Sequence, residues 1–143
     1  MAVERTFFLV KPQAVERGLV GEVLRRVETR GLRYVALKLM RVSEETAEAH
    51  YDEHRDKPFF PELIENITAG PVVAMVVEGE GAIKAIRAMT GATNPIDALP
   101  GTIRGDLALD MSHNVVHSSA DPESAQREIS IYFSDAELGL VRA

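Results

Sequence analysis

The sequence predicts an α+β fold, a ferredoxin-like βαββαβ antiparallel sheet enlarged by an added helix pair and one long loop. Three observations carry this reading. Four short runs have the apolar content or alternation of strands, and segments of helical spacing separate them. The order is strand, helix, strand, helix pair, strand, helix, strand, helix. The chain's 143 residues suit a single domain, residues 1–143, in which about two-thirds of the open-chain surface is buried on folding. There is no cysteine, so the core must hold without disulfides. A doubly wound sheet accommodates the same order and stays open as the alternative.

Residues 6–10 are an apolar run of the kind a fully buried strand shows, and Lys11-Pro12 ends it because proline supplies no ladder donor. From Gly18, the apolar residues Val20, Val23, Leu24 and Val27 recur at helical spacing until Gly31, the expected C′ residue. Val35, Leu37 and Leu39 alternate with Tyr34, Ala36 and Lys38, which predicts a second strand with those three on one face. Ser43 followed by Glu44 and Glu45 predicts an N-cap and a helix reaching about His54, without a capping box because residue 46 is threonine. A second helix follows Pro58-Phe59-Phe60-Pro61 through Leu63, Ile64 and Ile67 to Gly70.

Residues 71–77 are the most apolar stretch and predict a central strand. Ile83, Ile86 and Met89 place a helix after Gly81. Residues 91–113 show no sustained period and are punctuated by Pro95, Pro100, Gly101 and Gly105; so long an irregular stretch is characteristically functional or disordered. Residues 114–117 fit a short last strand. Asp121-Pro122-Glu123 then has the cap, N1 proline and early acid of a helix start, with Ala125, Ile129, Tyr132 and Phe133 on its buried side.

Composition excludes several functions. Without cysteine there is no thiolate zinc site, iron–sulfur cluster or cysteine nucleophile. The first residues are polar and lead straight into a strand, and no apolar stretch approaches the ~20 residues a bilayer span needs, so a cytoplasmic location without membrane association is expected. The net charge of −6 speaks against a nonspecific basic face for nucleic acid.

Some motifs have ordinary explanations. Glu78-Gly79-Glu80-Gly81 lacks the third glycine of a dinucleotide fingerprint, and its glutamates would repel a pyrophosphate. His50 and His54 have the i, i+4 spacing of a helical zinc pair but no general-base glutamate between them and no signalled third ligand, which leaves a solvated helix face. Arg104-Gly105-Asp106 matches an adhesion tripeptide only by coincidence.

Asn114-Val115-Val116-His117-Ser118-Ser119 is different. A histidine stands where a short strand runs out, just before a well-capped helix. Near neutral pH imidazole is largely uncharged and nucleophilic, so it can accept a transferred group. Arg104 in the long loop, Arg87 in the preceding helix and Lys11 at the end of the first strand add cations at element ends. In an acidic chain such a set suits a polyanion.

Seven ordered runs then carry a resemblance. They are Glu4-Arg5-Thr6-Phe7 with Lys11-Pro12, Arg17-Gly18-Leu19-Val20-Gly21-Glu22, Lys57-Pro58-Phe59-Phe60, and Gly70-Pro71-Val72-Val73-Ala74-Met75. Gly91-Ala92-Thr93-Asn94-Pro95, Pro100-Gly101-Thr102-Ile103-Arg104-Gly105-Asp106, and Asn114-x-x-His117 with Ser124-Ala125-x-Arg127-Glu128 complete them. Over nearly its whole length the chain resembles nucleoside diphosphate kinase. The resemblance implies transfer of the γ-phosphate of a nucleoside triphosphate to a nucleoside diphosphate, in ping-pong fashion through a phosphohistidine, with low base selectivity.

By position, the resemblance makes His117 the nucleophile. Lys11, Arg87, Thr93 and Arg104 would hold phosphates, Asn114 the sugar and terminal phosphate region, and Phe59 the base, with Met111 beside it. Tyr51, Ser119 and Glu128 would position the histidine and the passing phosphoryl group, and residues 91–113 would be the nucleotide-binding loop. Mg²⁺ is the implied cofactor, held mainly by the nucleotide phosphates and not by a protein cage. The implied partners are nucleoside di- and triphosphates and further copies of the chain, a hexamer ahead of a tetramer, with no specific nucleic acid.

Four positions depart from the family pattern. His117-Ser118-Ser119-Ala120 replaces the usual His-Gly-Ser-Asp, Gln13 stands where aspartate is common, and His113 stands where arginine is frequent. An RNA-recognition domain shares the βαββαβ order, but it needs exposed sheet aromatics and a basic face, whereas aromatics here are 6% of the chain.

Overall fold

In the computed structural model, which describes residues 2–140, four strands form one antiparallel sheet in the order β2-β3-β1-β4. They are β1 (Val3–Val10), β2 (Arg33–Arg41), β3 (Pro71–Glu80) and β4 (Val116–Ser118). The helices are α1 (Pro12–Glu16), α2 (Val20–Thr29), α3 (Glu44–His50), α4 (Phe60–Thr68), α5 (Ala82–Thr90), α6 (Ile103–Leu107), α7 (Pro122–Tyr132) and α8 (Asp135–Leu138). Every strand pair is antiparallel, so the ferredoxin-like reading is right and the doubly wound alternative is excluded.

Strands β1 and β3 occupy the centre because their residues are apolar on both sides. Phe8, Val10, Met75 and Val77 pack with Val23 and Val27 of α2 and Ile86 of α5. On the other face, Phe7, Leu9, Ala74 and Val76 pack with Ala47 of α3, Ile67 of α4 and Tyr132 of α7. With both faces covered, the sheet has no open aromatic surface of the kind an RNA-recognition domain uses.

The alternation predicted for β2 is broken by a bulge. Tyr34 pairs with Val77 and Ala36 with Val76, so Val35 is the extra residue. Val35 and Ala36 are both buried in the second core, and the side chains beyond them change face. Leu37 and Leu39 are consequently 47% and 67% exposed, not buried beside Val35. Lys38 turns inward instead and donates to the Tyr132 carbonyl at 2.7 Å and to Glu137 at 2.8 Å.

Two helical expectations also change. Lys11-Pro12 ends β1 as predicted, but proline at N1 then starts the one-turn α1. Ser43 caps α3 through the Thr46 N–H at 3.1 Å, yet this helix stops at His50 and a 3₁₀ turn covers Asp52–His54. Glu78-Gly79-Glu80-Gly81, expected as a plain turn before a helix, is mostly strand. Its first three residues finish β3, Glu78 is braced by Arg5 and Arg33, and Gly81 takes the left-handed conformation that opens α5.

The loop over 91–113 is built from short turns, Pro95–Asp97 and Met111–His113 in 3₁₀ form with α6 between them. Thr102 caps α6 by accepting from the Gly105 N–H at 3.0 Å. Asp106 accepts from Arg26 of α2 at 2.9 Å, which ties the loop to the body.

Candidate active site

The chain approaches the site through a strained turn. Val115 has φ +73°, the only positive φ among the described non-glycine residues, and the Val116 N–H donates to the Asn114 carbonyl at 2.8 Å. An i to i+2 hydrogen bond around such a φ is the rare form of γ-turn, and a β-branched residue there is under strain. Arg104 holds it in place. Its Nε donates to the Asn114 carbonyl at 3.1 Å, while its two terminal nitrogens donate to Val116 at 2.8 Å and Gly91 at 3.3 Å. The Lys11 N–H adds a bond to the Val115 carbonyl at 2.9 Å.

Beyond the turn, β4 presents His117. Its Nε2 lies 2.7 Å from Glu128 Oε1 of α7, and the same oxygen accepts from the Ser119 hydroxyl at 2.8 Å. Asp121 caps α7 through the Ser124 N–H at 2.7 Å, so the predicted helix start sets where Glu128 falls. Burial alone would raise the Glu128 carboxyl, but the His117, Ser119 and Arg127 groups outweigh it and hold the acid below its usual range. An ionised carboxylate 2.7 Å from an imidazole nitrogen requires the proton to be on that nitrogen, here Nε2. Nδ1 then carries the lone pair, and it makes no hydrogen bond to a described residue.

His117 lines a cleft of about 560 Å³. Lys11, Tyr51, Phe59, Arg87, Thr93, Arg104, Asn114 and Glu128 line it too, so nine of the ten predicted site residues converge. The tenth, Ser119, is buried behind His117 on the Glu128 carboxylate. Lys11 donates to Asn114 Oδ1 at 2.6 Å, and the Asn114 amide donates to the Thr93 carbonyl at 3.1 Å. Burial, and then the Arg104 charge, lowers Lys11 to about 8. Burial, and then Arg87, lowers Arg104 to about 10, which leaves it charged at neutral pH. The cleft therefore has a cationic end beside His117 and an aromatic end at Phe59 and His54, whose rings are 5.6 Å apart.

The sequence profile described as nucleoside diphosphate kinase matches residues 4–138. A nucleoside diphosphate kinase of Moorella thermoacetica is 60% identical over 97% of this chain and all of its own length. One from Thermus thermophilus is 60% identical over 95% of this chain and 99% of its own. Among solved structures, a halophilic nucleoside diphosphate kinase of Halobacterium salinarum in complex with CDP superposes with a TM-score of 0.95. It is 49% identical, covering 99% of this chain and 95% of that one. The Aquifex aeolicus nucleoside diphosphate kinase gives 0.93 at 45% identity, over 95% and 99%.

The chain belongs to the nucleoside diphosphate kinase family. It is a phosphotransferase acting between nucleotides.

Two of the departures from the family pattern have a plain setting. Ser118 pairs with Phe8 inside β4, so no glycine conformation is required there. Ala120 sits exposed at the rim of the cleft. The adhesion tripeptide is part of α6, with Arg104 turned inward.

The residue that sequence reasoning missed is His50. Expected on a solvated face, it is 2% exposed, with Nδ1 2.7 Å from Tyr132 Oη and Nε2 3.2 Å from His117 Nε2. Its burial comes from α7 packing over the end of α3, which i, i+4 spacing does not encode. Among the described residues, His50, His117 and Glu128 are the one group whose donor atoms could converge on a metal ion, and their spacings are already those of hydrogen bonds. The cationic end has Lys11, Arg87 and Arg104 but no carboxylate cage, which fits an Mg²⁺ carried on nucleotide phosphates.

Proposed function

We propose that this kinase works by a ping-pong mechanism in which His117 Nδ1 is the phosphoryl acceptor. The observation that carries this reading is the 2.7 Å contact between His117 Nε2 and Glu128, which leaves the Nδ1 lone pair free on a histidine that lines the cleft. The Nδ1–P bond forms as the bond from the γ-phosphorus to the bridging oxygen breaks, and the nucleoside diphosphate leaves with that electron pair. The Nε2 proton stays on the ring, where Glu128 offsets the developing positive charge. A terminal phosphate oxygen of a second diphosphate then takes the phosphoryl group by the reverse displacement.

Lys11, Arg87 and Arg104 place charge against the phosphate oxygens, the main protein contribution to phosphoryl transfer. Three of Arg104's five N–H groups hold the backbone, leaving two for a phosphate. Thr93 and Asn114, which also line the cleft, are further contacts for phosphate and sugar, and Tyr51, stacked on His50, helps position the histidine. Mg²⁺ on the phosphates would neutralise charge there. Phe59, 46% exposed, offers a stacking face to any base, which supports low base selectivity.

One domain would carry the whole activity. Leu37 and Leu39 on the β2 edge support assembly with further copies, a hexamer ahead of a tetramer. No described helix is long and apolar enough to cross a membrane, and we assign the protein to the cytoplasm. Incubation with γ-labelled ATP and Mg²⁺ tests the mechanism. The protein should gain one phosphate, stable in base and labile in acid, and His117→Ala should gain none. Label retained by that variant would refute it.

A further inference from the structure

We propose that His50 is a positioning residue which, with its own tautomer fixed by Tyr132, gives the Nε2 proton of His117 a second acceptor beside Glu128. The inference rests on His117 being the nucleophile. His50 is the last residue of α3, and its ring stacks on Tyr51 with centroids 4.4 Å apart and 19° between planes. Both of its nitrogens meet protein groups, Tyr132 Oη and His117 Nε2.

The proton count fixes the roles. Glu128 Oε1 already accepts from Ser119, so its contact with His117 requires a proton on His117 Nε2. That N–H also faces His50 Nε2 at 3.2 Å, and two N–H groups cannot face each other there. His50 Nε2 therefore presents a lone pair, and its proton is on Nδ1, donated to Tyr132 Oη at 2.7 Å. The opposite tautomer of His50 would donate into His117 Nε2. It would move the His117 proton to Nδ1 and close the position that accepts phosphate. A protonated His50 would likewise set N–H against N–H. Its surroundings oppose that state: burial first, then the nearby His117, Arg127, Lys11 and His54 groups, push its pKa well below the ordinary value.

During transfer the His117 ring gains positive charge and its Nε2–H becomes a stronger donor. Glu128 and His50 are then two acceptors for one proton, which neither leaves the ring nor moves along it.

Long-range ¹H–¹⁵N correlation on the histidine-labelled, nucleotide-free protein tests the assignment without any substitution. His117 should read as protonated on Nε2 and His50 on Nδ1; His50 protonated on Nε2 would overturn the proposal. Single-turnover labelling by ATP supplies the second measurement. His50→Leu should lower the labelling rate about tenfold, the equivalent of one hydrogen bond, with the Nε2 proton of His117 still held by Glu128 and KM for ADP little changed. His50→Gln places an acceptor near the Nε2 position and should recover most of the rate. A Gln variant as slow as the Leu variant, or a Leu variant with the parent's rate, would sink the idea. Failure of the mechanism itself would be recognised separately, as no label on the unaltered protein.

Discussion

Lys11 keeps its charge against its surroundings. Burial and Arg104 lower it to about 8, so a phosphate arriving beside it should draw a proton from solvent. Nucleotide binding near pH 8 is expected to take up about half a proton, measured by calorimetry in two buffers of different ionisation enthalpy, and Lys11→Arg should remove the uptake. The same group shapes stability. Between about 8 and the unfolded value of 10.5, the unfolded chain binds more protons, so this lysine makes the nucleotide-free protein more stable as pH rises through that window.

Phe59 gives a prediction of another kind. Stacking is worth ~1–3 kcal/mol per base, so Phe59→Ala should lower kcat/KM for ADP, GDP, CDP, UDP and TDP by similar factors of about ten to a hundred. A spread beyond ~10⁴ between bases would need a hydrogen-bonding readout, and the low-selectivity reading would fail. The types of these side chains are legible in the sequence because phosphate needs cations and a base needs a flat face. The second task of Arg104 is not, since gripping three carbonyls from two segments is a fact of three dimensions.

At the scale of elements, the loop between α5 and β4 depends on close backbone approach. A Cβ on Gly105 would collide with the Leu99 carbonyl and come within 2.8 Å of the capping Thr102 hydroxyl. Gly105→Ala should therefore displace α6 and with it the Arg104 clamp. We expect a lower Tm and labelling by ATP reduced more than tenfold, roughly the loss of a charged hydrogen bond at a strained turn. An unchanged labelling rate would show that the clamp does not need α6 in place.

Element order was readable here because capping residues, prolines and apolar spacing are local signals: Asp121-Pro122 starts α7 where they predict. The β2 bulge was not readable. Alternation of Val35, Leu37 and Leu39 describes a regular strand, and the extra residue is defined only by pairing with Val76 and Val77. His50 escaped for a similar reason, because its neighbours Tyr132 and His117 lie 82 and 67 residues away.

At the scale of the molecule, the bulge has turned two leucines of an edge strand to the outside. Unpaired edges with apolar side chains invite another chain. Replacing both, Leu37→Lys with Leu39→Lys, should shift the light-scattering mass of the assembly downward while leaving the fold of each chain, followed by circular dichroism, unchanged. If the mass stays the same, the copies meet elsewhere. A mass at or near 15.7 kDa for the unaltered protein would refute self-association.

Alternate residues of β1 belong to different cores, Phe8 and Val10 to one and Phe7 and Leu9 to the other, and β3 is divided in the same way. Neither layer of helices can melt alone, because its departure wets the ladder on which the opposite layer rests. Thermal damage is therefore delocalised. Val23→Ala, on the buried side of α2 and on the sheet face away from His50, creates a cavity outside the cleft lining, with a cost of about 0.5–3 kcal/mol. Its effect should be a lower inactivation temperature with unchanged kcat in the cold: the nucleophile would share the fate of a helix it never touches.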